Sequence, residues 1–135
     1  MSRHPNPPAE VAAAFQAFPA QARKALLDIR SLLFDVANAT PDAGRVQETL
    51  KWGEPAYLAD GGSTVRLGWK AKRPDRVAIY FICQTPLVDA FRSQFGEALE
   101  YEGDRAILID PTAPPPTGPI ASCLRTALTY KRRKK

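Results

Sequence analysis

Ten residues, Glu48-Thr49-Leu50-Lys51-Trp52-Gly53-Glu54-Pro55-Ala56-Tyr57, bring two aromatic rings and two carboxylates together around a glycine and a proline. Trp52 and Tyr57 offer stacking area and Glu54 a polar anchor, so these three are candidate ligand-binding residues at a bend in the chain. The same pattern has a packing reading. Glycine permits a bulge, the neighbouring proline marks an edge or a break in the ladder, and Trp52 serves as a core ring whose loss costs stability.

Carboxylates form a second group. Glu97, Glu100, Glu102 and Asp104 surround an expected hairpin, and Asp28 and Asp35 stand two turns apart on an expected helix. Hard oxygen ligands of this kind suit a hard cation, which makes the hairpin residues candidate metal ligands. Basic neighbours dilute both groups: Asp28 follows Lys24 by four residues, the spacing of a helical salt bridge. Glu100 and Glu102 alternate with Leu99 and Tyr101 as the solvent face of a strand does.

Nucleophilic catalysis needs a base beside the nucleophile, and the single histidine, His4, falls in an N-terminal arm. Cys83 stands just before Thr85-Pro86, where a helix N-terminus lowers a thiol pKa, yet its alternation with Val77, Ile79 and Phe81 reads as a buried thiol. Cys123 falls within an apolar helical stripe. Asp60-Gly61-Gly62-Ser63-Thr64 lacks the lysine and following helix of a phosphate loop.

The chain carries 19 Lys and Arg against 14 Asp and Glu, a formal net charge of +5. Five of those cations are Lys131, Arg132, Arg133, Lys134 and Lys135, so the remainder is formally neutral. Polyanion contact is therefore expected in this tail, weak and nonspecific.

Positioning these groups falls to one core, which 135 residues can build. Residues 1–7 read as a flexible arm, 8–130 as a single domain and 131–135 as a basic tail. No apolar run approaches the roughly 18 residues of a membrane span, and the start MSRHPNPPAEV lacks a signal's apolar stretch, so a cytoplasmic protein with free thiols is expected. A short helix follows Pro8. Pro19 opens a longer one over 19–38, with Ala22, Ala25, Leu26, Ile29, Leu32, Leu33 and Val36 on one face and Arg23, Lys24, Arg30 and Asp35 elsewhere.

Strand-like runs cover 47–59, interrupted at Gly53 and Pro55, then 65–70 and 77–83, with a second hairpin over 99–102 and 106–109. Asp60-Gly61-Gly62 joins the first two and sets Tyr57 opposite Val65 and Gly53 opposite Trp69. A middle helix runs from Thr85-Pro86 to Gly96, and Ile120, Cys123, Leu124, Ala127 and Leu128 mark a last one. The fold expected is α+β, an antiparallel sheet of about five strands with N-terminal helices, a middle helix and a C-terminal helix packed against it.

The Glu-x-x-x-Trp-Gly-x-Pro-x-Tyr signature and this order of elements resemble the YdhG-like family, a bacterial domain of unknown function, over residues 15–130. The resemblance implies an antiparallel sheet backed by helices. Through a relative regarded as a frataxin-like chaperone it also implies iron as a cargo. The function expected is a binding or chaperone-like domain without catalytic machinery, its partner a protein or small ligand. The alternatives are an iron chaperone, a nucleic-acid accessory protein acting through the tail, and an enzyme using Cys83.

Overall fold

Prolines set the starts of both N-terminal helices. Pro8 precedes α1 (Ala9–Ala17) and Pro19 precedes α2 (Ala20–Asn38), their carbonyls accepting from Ala12 N at 2.9 Å and Arg23 N at 2.8 Å. These and the following elements come from a computed structural model that describes residues 4–82 and 84–133. Arg23 closes the turn between the two helices by donating to the carbonyls of Phe15 at 3.2 Å and Phe18 at 3.1 Å. Ahead of Pro41, which biases Thr40 away from helical geometry, α2 stops, and a single 3-10 turn follows at Pro41–Ala43. Its buried face holds Ala22, Leu26, Ile29, Leu33 and Val36, as the spacing predicts, and also Arg30 and Phe34. Arg30, expected on the outer surface, is inside.

Six antiparallel strands make one sheet in the order β1-β2-β3-β4-β6-β5. They are β1 (Val46–Lys51), β2 (Glu54–Ala59), β3 (Val65–Trp69), β4 (Val77–Tyr80), β5 (Glu100–Glu102) and β6 (Ala106–Ile109). The strand beyond the expected count comes from residues 47–59. Trp52 (φ 57°) and Gly53 (φ 76°) form a two-residue turn, so the two halves pair as a hairpin with Lys51 opposite Glu54 and Glu48 opposite Tyr57. Two successive left-handed residues match the twist of the strands they join. This turn replaces the expected bulge at Gly53, while the expected pairing of Tyr57 with Val65 is present. Apolar on both faces, β4 lies centrally between β3 and β6.

Alternation divides the sheet into two faces. Tyr57, Val65, Leu67, Val77, Ile79, Ile107 and Ile109 join the helices in the main core. To that core α3 (Leu87–Phe95) brings Leu87, Val88 and Phe91, and α4 (Thr117–Leu128) brings the stripe from Ile120 to Leu128. Ala78, Tyr80, Ala106 and Leu108 form a separate cluster on the other face, with no helical residue in it. One face is thus backed by helices, and the other, the uncovered face, has its buried cluster screened by side chains and no helix in it among the described residues.

Both ends of the described chain are tied to this frame. His4 Nε2 is 2.7 Å from Asp35 Oδ1, and the Pro5 carbonyl accepts from Arg30 Nη2 at 2.6 Å, so the arm expected to be loose makes defined contacts with α2 from His4 onward. At the other end Ser63 N donates to Ala127 O at 2.8 Å, and Lys131 N, in the one-turn helix α5 (Tyr130–Arg133), donates to Gly61 O at 2.9 Å. A Cβ on Gly62 would collide with the carbonyls of Ala127 and Leu128, so the close approach of α4 requires glycine there. No helix among the described residues is long and apolar enough to cross a membrane.

Candidate functional site

The β1–β2 hairpin sends Trp52, Glu54 and Tyr57 to three different places. Tyr57 faces inward and has no exposed surface to offer a ligand. Its Oη donates to Glu48 Oε2 at 2.8 Å, and Arg30 holds both oxygens of that carboxylate, Nε to Oε2 at 2.6 Å and Nη2 to Oε1 at 2.9 Å. Phe34 stands edge to face with Tyr57 at 5.8 Å and lies under the Arg30 guanidinium at 4.9 Å. Hydrogen bonding to Glu48 raises the Arg30 pKa, and burial, reinforced by the Glu48 charge, raises that of Tyr57. Tyr57 is therefore a neutral donor to a charged pair. Two of the signature residues thus fasten the hairpin to α2.

Glu54 faces the uncovered side, where it pairs with Arg66. Its carboxylate lies over Gly68, whose missing side chain leaves the room. Burial pushes the Glu54 carboxyl above the usual range, against the pull of Arg66 and Lys70. Beside it Tyr80 is 3% exposed with no helix in its cluster. Arg66, Lys70 and Arg105 cover its ring at 5.1, 5.6 and 5.7 Å from the centroid.

Trp52 occupies the hairpin tip and is 88% exposed, so the core role expected for its ring is overturned. The turn aims it at solvent. With Ile82, 40% exposed, it makes up the exposed large hydrophobic residues of the described chain, and both line one groove of about 510 Å³ together with Lys51, Arg66 and Arg105. No Asp or Glu is among the groove's described lining residues. A narrower depression on the same face is lined by Lys70, Lys72, Arg73 and Arg76 beside Tyr80. Lys51, Ile82 and Arg105 were absent from the candidates drawn from sequence, whereas Arg66, Lys70, Lys72, Arg73 and Arg76 are the residues on which a basic face of the folded body would be sought from sequence. Alternation along β3 points Arg66 outward, but only the long-range pairing of β4 with β6 brings Ile82 and Arg105 together.

The carboxylates of the second hairpin do not gather. Glu100 pairs with Arg76 at 2.9 Å, Glu102 with Arg73 at 3.1 Å and Asp104 with Arg92 at 3.8 Å, while Glu97 is exposed on the 3-10 turn Gly96–Ala98. Asp28 pairs with Lys24 at 3.2 Å, as its spacing predicts. Among the described residues no group of three or more His, Cys, Asp or Glu is disposed to hold a metal ion. Burial pushes the Cys123 thiol up to about 12, which keeps it protonated. Cys83, Lys134, Lys135 and the side chains of Arg132 and Arg133 lie outside the described residues, whereas Lys131 is exposed.

Comparison with protein-family models, curated proteins and solved structures finds no match.

Proposed function

We propose that this chain is a cytoplasmic, non-catalytic binding domain of the YdhG-like kind, whose ligand docks on the uncovered sheet face at Trp52. The conformation of Trp52 carries the reading. A bulky residue in the left-handed region costs about 1–2 kcal/mol, which Asn or Gly in the same turn avoids, and at 88% exposure the ring recovers little of that by burial. Strain of this kind concentrates where it serves a site. Trp52 and Ile82 supply apolar contact, and Lys51, Arg66 and Arg105 supply partners for an anion. Catalysis by Cys123 is disfavoured by its protonated, buried state. The iron-chaperone alternative draws little support from hairpin carboxylates that face arginines.

A small aromatic anion, anilinonaphthalene sulfonate, tests the reading. The native protein is expected to bind the dye, with Trp52→Ala weakening binding by about tenfold while the thermal midpoint does not fall. Dye binding that is indifferent to Trp52→Ala would overturn it.

A further inference from the structure

Cations continue beyond the groove. From Lys51, Arg66 and Arg105 the uncovered face passes across Tyr80 to Lys70, Lys72, Arg73 and Arg76. The carboxylates along this path, Asp75, Glu54, Glu100 and Glu102, are each paired with an arginine, whereas Lys51, Lys70 and Lys72 have no ion pair among the described residues. Cations therefore exceed carboxylates locally, although the sequence outside the tail is formally neutral. The partner that complements this track is an extended polyanion.

The exposed indole narrows the class. A duplex keeps its bases stacked and out of reach of a ring on a sheet surface, and the carboxylate side chains of an acidic protein carry no aromatic ring for the indole to stack on. A single strand offers phosphates to the cations and unstacked bases to Trp52. We infer that the uncovered sheet face binds single-stranded nucleic acid, with Trp52 stacked on a base and the cations from Lys51 to Arg76 following the backbone. This inference rests on the docking of a ligand at Trp52 proposed above.

The test is fluorescence anisotropy of the full chain with a labelled oligouridylate of about twelve nucleotides, a blunt duplex of equal length, and heparin and polyglutamate as competitors. The single strand is expected to bind about tenfold more tightly than the duplex at equal salt, with Trp52→Ala removing that preference and Trp52→Phe restoring most of it. Lys51→Gln and Lys72→Gln should each reduce the magnitude of the log-log salt slope by about 0.7. Replacing Lys131, Arg132, Arg133, Lys134 and Lys135 with glutamine should leave the preference for single strands in place. Equal binding of duplex, equal competition by heparin or polyglutamate, or binding that depends on the tail and not on Trp52 overturns the inference. Dye binding at Trp52 without strand binding overturns it alone. Binding of neither overturns the docking site as well.

Discussion

Tyr57 Oη donates to Glu48 Oε2 across the β1–β2 hairpin at 2.8 Å, and Arg30 on α2 grips the same carboxylate through two nitrogens. The pair is enclosed, with the Arg30 side chain 8% and the Glu48 side chain 6% exposed. Breaking such a pair from one side strands a buried charge. Arg30→Ala is expected to lower stability by about 3–5 kcal/mol, whereas Arg30→Met combined with Glu48→Leu removes both charges and should cost far less. Tyr57→Phe loses one hydrogen bond to a charged acceptor, for about 1.5–3 kcal/mol. Urea unfolding of the three variants checks that order, and near-equal losses would refute it.

The turn residue obeys the opposite logic. Trp52→Asn creates the Asn-Gly pair that a two-residue left-handed turn favours, and it removes a ring that is 88% exposed. Stability should rise by about 1 kcal/mol, seen as a higher thermal midpoint, while dye and oligonucleotide binding fall. A drop in midpoint would mean that the indole packs in solution after all.

These two sites mark where sequence reasoning ran out. The stripes Leu26-Ile29-Leu33 and Cys123-Leu124-Ala127-Leu128, the second hairpin at Gly103 and the central β4 were legible because each is a local pattern of period or turn, whereas the helix expected to be capped by Thr85 has Pro86 at its N-cap and no side-chain cap. Glu48 and Arg30 were not. A polar residue at an inward position looks like a solvent residue until its partner is known, and that partner lies 18 positions away on another element. Missing Glu48 hid the alternation of Val46, Glu48 and Leu50, and with it the turn that exposes Trp52. The groove depends on the same kind of non-local contact, since β4 and β6 meet only across the whole of α3.

The Gly62 position tests how firmly α4 is seated. A methyl group there meets the carbonyls of Ala127 and Leu128, which belong to the end of a helix and yield little. Gly62→Ala should cost about 3 kcal/mol, detectable as a lowered denaturant midpoint together with faster amide exchange at Ser63 and Lys131. Gly53→Ala makes the contrast. No atom stands near its Cβ, so only the backbone penalty of φ 76° remains, about 1–2 kcal/mol.

Glu54 makes the uncovered face sensitive to pH. Burial raises its carboxyl pKa in spite of Arg66, Lys70 and Arg105, so the ionised form is the disfavoured one in the folded chain. The folded state then holds this proton more firmly than the unfolded state. As pH falls through the raised value, the contribution of this group to stability rises instead of falling. Each proton taken up also adds one positive charge beside Tyr80, where Arg66, Lys70 and Arg105 already stand. Binding of an anionic strand should therefore tighten as pH is lowered through the window just above the ordinary carboxylate range, at fixed ionic strength. Glu54→Gln should bind more tightly than wild type at neutral pH and should lose most of the pH dependence in that window. Anisotropy titrations of both proteins at several pH values decide the matter, and a dependence that survives Glu54→Gln intact would assign the effect to another group.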